Sequence, residues 1–175
     1  MRCCGIMLAL ACVAFTPAHA EPSPLAEGLQ GKLQCYTPDP ARKTCQSMAS
    51  YRARADGGYD NTAFVLVSPS PQVVMIAVSP VEVRGEQECG VMRPADIDTA
   101  NFTVQGRAAD PRLTGLLREK VKAALQDRFN HEICTTYVPD GEALTAQASL
   151  DGVRQPSLDQ AVIWVAPTDG YRVAP

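Results

Sequence analysis

Beyond position 20 the chain carries four cysteines, Cys35, Cys45, Cys89 and Cys134, and the ways they can pair limit the fold more than any other feature. Cys35 and Cys45 bracket "PDPAR", whose two prolines and aspartate suit a turn. Their strands can face each other across a closed loop of about eleven residues. Cys89 ends a strand-like stretch ahead of the chain's one helical segment, and Cys134 follows that segment. Four cysteines allow three pairings; these positions favour 35–45 with 89–134. In the chain-entropy account the shorter loop contributes about 3 kcal/mol and the loop of about 46 residues about 4 kcal/mol, large against a total stability of about 5–15 kcal/mol.

Disulfides need an oxidising compartment, and the first twenty residues, MRCCGIMLALACVAFTPAHA, supply a route to one. Arg2 gives a positive start, an apolar stretch runs to Phe15, and Ala18 and Ala20 are the small residues of a cut before Glu21. That cut removes Cys3, Cys4 and Cys12 and turns an odd count of seven into an even four. Ala9-Leu10-Ala11-Cys12 offers a lipoprotein anchor as the alternative, but the apolar run continues past Cys12. The expected organisation is a signal peptide at 1–20, a flexible leader at 21–31 and one domain at 32–175, periplasmic or secreted. No later apolar run has the length of a transmembrane segment.

Fifteen of the sixteen basic residues and all nineteen acidic ones lie beyond position 20, a net charge of −4. Basic residues are scattered rather than striped, which argues against nucleic acid as a partner. "TAFVLVS", "QVVMIAVS", "PVEVRGEQECGVM", "NFTVQGR", "ICTTYV", "ALTAQASL" and "AVIWVAP" read as strands separated by turn residues. Between them Asp110 suits a helix N-cap, Pro111 the first helical position, and Leu113, Leu117, Val121 and Leu125 recur on one face, predicting a helix over 111–130. These elements predict an α+β fold: mostly antiparallel sheet with one long amphipathic helix packed on it, stapled by two disulfides.

His131 is the one histidine beyond position 20 and stands three residues before Cys134. A catalytic Cys–His pair needs a free thiolate, whereas a helix-end histidine beside a disulfide cysteine needs nothing further. A Ser–His–Asp site would have to use the same histidine, and no G-x-S-x-G elbow is present. Neither cysteine pair has C-x-x-C spacing for zinc. Asp96, Asp98 and Asn101, and likewise Asp56, Asp60 and Asn61, gather oxygens as calcium loops do, but neither set fits the twelve-residue pattern and both suit ordinary turns. No catalytic residue, metal site or cofactor is expected. Trp164, inside "AVIWV", reads as core. Tyr36 and Tyr59 stand near proposed turns and are the first candidates for a contact surface.

No signature of catalysis stands out, so the sequence points to a non-catalytic binding or envelope-accessory protein whose partner is an envelope protein or a small ligand. The alternative is a carboxylate-based periplasmic hydrolase without a recognisable motif.

Overall fold

A computed structural model of the chain describes residues 23–175. The signal segment, its cut before Glu21 and the Cys12 alternative lie outside those residues. In chain order the elements are helix α1 (Ala26–Leu29), then strands β1 (Leu33–Tyr36), β2 (Thr44–Cys45), β3 (Ser47–Ala53), β4 (Tyr59–Pro69), β5 (Gln72–Arg84) and β6 (Gln87–Val91). An insertion follows: α2 (Pro94–Asp98), β7 (Asn101–Val104), β8 (Arg107–Ala108) and α3 (Pro111–Leu125). The chain then forms β9 (Glu132–Asp140), β10 (Ala143–Leu150), β11 (Val153–Arg154), β12 (Gln160–Val165) and β13 (Arg172–Val173).

Strand residues make up 50 % of the structure against 22 % helical, and eight strands close into a barrel. The order is β1, β3, β4, β5, β6, β9, β10, β12, each antiparallel to the next, and β12 pairs back with β1. Each barrel strand is thus followed, among the barrel strands, by its spatial neighbour, an up-and-down meander whose longest interruption is the insertion between β6 and β9.

The expected α+β sheet with a helix packed across it is therefore corrected to a mostly β, closed barrel. Alternation along a strand identifies its two faces but carries no information about whether the sheet curls shut. Closure rests on Leu33↔Val165 through Tyr36↔Val162, partners from opposite ends of the chain. The helix itself forms where the spacing placed it. Asp110 caps it, its Oδ1 accepting the Leu113 N–H at 2.9 Å, and a 3₁₀ turn extends it over Gln126–Arg128. None of its residues is buried; Leu117, Val121 and Leu125 lie against a cluster containing Val73, Met75, Ala77, Ile97 and Phe102.

Both disulfides sit on the outer face of the wall. Cys35–Cys45 (Cα–Cα 5.4 Å) is buried with Met48 and Val165 under the parallel β2–β13 ribbon. Cys89–Cys134 (Cα–Cα 4.0 Å) joins directly opposed residues of β6 and β9.

The stretch 21–31, expected as a flexible leader, is tied down from Ser23 onward. Leu25 is fully buried and packs with Ala49, Tyr51 and Val81 in a cluster that also takes in Trp164, so α1 closes one part of the barrel. Gly28 permits this contact: a Cβ there would lie 2.9 Å from Tyr51 Cδ2 and 3.2 Å from the Trp164 ring. Gly28→Leu is expected to dislodge α1 at a cost of about 1–3 kcal/mol, the range for overpacking a filled site. The readout is the emission of Trp164, the single tryptophan, which moves to the red as its ring meets water; an unshifted spectrum with unchanged stability would contradict the packing.

One irregularity matters for what the barrel encloses. Along one edge of β5, residues Val73–Ile76 pair with β7 while Val81–Arg84 pair with β6. The segment between them has a strand partner only on the β4 side, and α2 brings the buried Ile97 to this gap.

Candidate functional site

The barrel interior is not a plain apolar core. On β1 the alternation that turns Cys35 outward to its disulfide turns Gln34 and Tyr36 inward, and on β6 the outward Cys89 sets Glu88 inward. Tyr51 on β3, Asn61 on β4 and Tyr137 on β9 complete one hydrogen-bonded cluster with them. Small residues make room for it: Ala49, Ala63 and Ala77 are direct neighbours across β3, β4 and β5.

Glu88 is the centre. Its side chain is 7 % exposed, and among the described residues no lysine, arginine or histidine forms an ion pair with it. Hydrogen bonds hold it instead. Tyr51 and Tyr137 donate to Oε2 at 2.8 and 2.6 Å, and Asn61 Nδ2 donates to Oε1 at 3.1 Å. The hydroxyls of Tyr36 and Tyr51 each stand 2.7 Å from the Gln34 side-chain amide, and Tyr36 and Tyr137 meet at 2.9 Å. Burial pushes the Tyr36 hydroxyl well above the usual phenol range, with the Glu88 charge adding to the effect. Burial likewise raises Tyr51 and Tyr137, followed by their phenol neighbours and Glu88. All three phenols are therefore neutral donors.

Asn61 Oδ1 is a buried polar atom of the cluster without a partner, and Gln34 also leaves one amide atom unpaired. Because the Tyr51 and Tyr137 protons go to Glu88, the Gln34 atom facing the Tyr36 and Tyr51 hydroxyls is its N–H donor and the unpaired one its oxygen. The Asn61 orientation follows from chemistry, because exchanging its O and N would set an amide oxygen against a carboxylate oxygen. Buried polar groups are nearly always satisfied, so each exception asks for a reason.

Beside the cluster lies a cavity of about 260 Å³. Tyr36, Asn61, Glu88 and Tyr137 form its polar side, while Ala63, Val65, Met75, Ala77 and Ile133 line the apolar wall. Ile97 of α2 and Leu125 of α3 also line it, as do Ser79 and Pro80 from the β5 segment that lacks a second strand partner. The insertion thus covers the part of the wall where β5 has a strand partner on one side only. Compared with a 150 Å³ apolar cavity that takes benzene, the volume suits a molecule of roughly ten non-hydrogen atoms.

No family model, curated protein or solved structure matches this chain. What the barrel can do must therefore be read from its own residues.

Of the residues singled out in the sequence, Tyr36 stands in a strand and contributes to the interior cluster. Tyr59 begins β4 and packs beside Leu25 and Val81 without lining the cavity itself. Trp164 packs edge-on to Tyr51, ring centroids 6.4 Å apart. Cys134 is disulfide-bonded, and His131 reaches Asp151 instead, Nδ1 to Oδ2 at 2.6 Å. That contact, together with the Glu132 N–H, holds the Asp151 carboxyl below the usual carboxylate range. The two acidic turn sets do not converge. Asp56 and Asp60 pair with Arg54 and Arg52, Asp98 pairs with Lys122, and Asn61 faces the barrel. Among the described residues no group of three or more His, Cys, Asp or Glu could hold a metal, and no helix is long and apolar enough to cross a membrane.

Gln34, Glu88 and Tyr137 were not singled out from the sequence, and Asn61 was read only as a turn oxygen. One signal for Glu88 was present. Gly85-Glu86 forms a two-residue hairpin loop with Gly85 at φ 60°, and its register sets Glu88 opposite Val83 on the apolar face.

Proposed function

We propose that this chain is an exported binding protein whose barrel interior holds one small, largely apolar molecule. The observation that carries the reading is Glu88, a carboxylate buried without a cation on the wall of a ligand-sized cavity. Such a group costs stability that well-packed apolar side chains would not, and eight-stranded barrels are just wide enough either to fill with side chains or to hold one small ligand. The alanine row across β3, β4 and β5 leaves space where larger residues would fill it. Export accords with the two disulfides, which persist in oxidising compartments; a periplasmic or secreted location is part of the proposal. A carboxylate-pair hydrolase draws less support. Asp96 also lines the cavity, but its Oδ2 accepts the Arg93 N–H at 2.9 Å as the cap of α2, and the cluster contains one carboxylate among neutral phenols.

Thermal melts with a panel of aromatic and aliphatic molecules of about ten non-hydrogen atoms test this reading. A bound member is expected to raise stability by about 1.4 kcal/mol at ten times its dissociation constant. Ala77→Leu, which fills the cavity from β5, is expected to abolish that rise while leaving the apo barrel as stable or more stable. A panel without effect, or an Ala77→Leu variant that responds like the parent, overturns the reading.

A further inference from the structure

The groups facing the cavity specify the polar end of its ligand. A carboxylate oxygen accepts about two hydrogen bonds, and Glu88 Oε1 receives one, from Asn61. Asn61 itself lines the cavity, and its buried Oδ1 receives none. Two acceptors are thus left over on the same pair of side chains. Gln34, the other side chain of the cluster with an unpaired buried amide atom, does not line the cavity. A ligand satisfying this wall must donate hydrogen bonds.

Charge narrows the choice. The buried cluster contains one negative group, Glu88, with no positive partner, in surroundings where an unbalanced charge is costly. A donor that is also a cation satisfies the acceptors and balances the charge, and charge-assisted hydrogen bonds are about twice as strong as neutral ones. We propose that the barrel takes a primary ammonium on a compact apolar body of roughly ten non-hydrogen atoms, its NH₃⁺ donating to Glu88 Oε1 while the apolar part lies against Met75, Val65 and Ile97. An anionic ligand of the same shape is excluded by repulsion from Glu88. The inference rests on the ligand-binding reading above and adds the ligand's chemical class.

Three probes of one shape test it: 2-phenylethylamine, 2-phenylethanol and phenylacetate, titrated calorimetrically into the oxidised protein near pH 7. The amine is expected to bind at least about tenfold more tightly than the alcohol, and phenylacetate not at all. Glu88→Gln keeps the shape, and Asn61 can turn its Oδ1 to the new amide. In that variant amine affinity is expected to fall to the level of the alcohol, whose own affinity stays within about twofold. Alcohol binding as tight as amine binding in the parent overturns the ammonium assignment alone. Failure of all three probes in the parent overturns this inference together with the ligand-binding reading. Should Glu88→Gln fail to fold, the parent's ranking of the three probes still decides; should it fold and keep its preference for the amine, the assignment falls.

Discussion

Raised above pH 10, the protein is expected to unfold before Tyr36, Tyr51 and Tyr137 ionise in place. In the unfolded chain each phenol releases its proton near pH 10. In the barrel, burial and the neighbouring Glu88 charge hold each proton to higher pH. Between those limits the native state binds more protons than the unfolded one, so stability is complete below pH 10 and declines as pH rises. Each phenol contributes a slope of up to about 1.4 kcal/mol per pH unit and the three together about 4 kcal/mol per unit. Against a total of about 5–15 kcal/mol, about one to four pH units should complete the transition. Phenolate absorbance followed alongside far-ultraviolet circular dichroism provides the check. Of the five tyrosines, three should gain phenolate absorbance only as the strand signal disappears. Absorbance from all five preceding any loss of strand signal would show that the cluster is not buried as described.

Removing the Cys89–Cys134 bridge should have an effect of similar size. The bridge closes a sequence separation of 45 residues that contains the whole insertion. In the chain-entropy account its loss costs about 4 kcal/mol, against about 3 kcal/mol for Cys35–Cys45. For the double substitution Cys89→Ala with Cys134→Ala, the urea midpoint should fall by about 2 M at a slope of about 2 kcal/mol per M. A local effect accompanies the global one. Cys89 stands beside Glu88, and Cys134 beside Ile133 on the cavity wall, so the bridge clamps the two strands that carry part of the site. Ligand affinity is expected to weaken in this variant more than in the Cys35–Cys45 counterpart. A midpoint shift under about 0.5 M would contradict the assignment of this bridge as a main constraint on the unfolded chain.

The sequence revealed local order better than global form. Both disulfide pairings, the cap at Asp110 and the strand over "QVVMIAVS" follow from turn chemistry, helix signals and β-branched runs, all of which act within a few residues. Barrel closure depends on β1 meeting β12, and no local pattern records a pairing between the chain's ends. The packing of α1 was hidden for a related reason: "PLAEGLQ" has too few apolar residues to suggest packing, yet Leu25 and Gly28 fit a site formed by Tyr51 and Trp164, far along the chain. Tyr36 was singled out through its nearness to a turn, whereas its importance comes from facing inward opposite Cys35. Glu88 was the most legible of the missed residues, since counting alternation through the Gly85-Glu86 hairpin places an acid on the apolar side. Asn61 could not be distinguished from a turn residue until β4 was seen to begin at Tyr59. Each cysteine that marks a strand's outer face also marks its neighbours as inward. That inference was available in "QCY" and "ECG", and it leads to the cluster.

The account depends on the barrel interior as the place where a ligand sits. Beyond position 20 the methionines are Met48, Met75 and Met92. Met75 and Met92 line the cavity, while Met48 packs with the Cys35–Cys45 bridge on the outer face. Methyl-labelled methionine spectra, recorded during titration with the tightest of the three phenyl probes, locate the occupant directly. The account predicts saturable shifts of the Met75 and Met92 methyls with Met48 unmoved. Shifts confined to Met48, or saturable binding that leaves Met75 and Met92 in place, would contradict it.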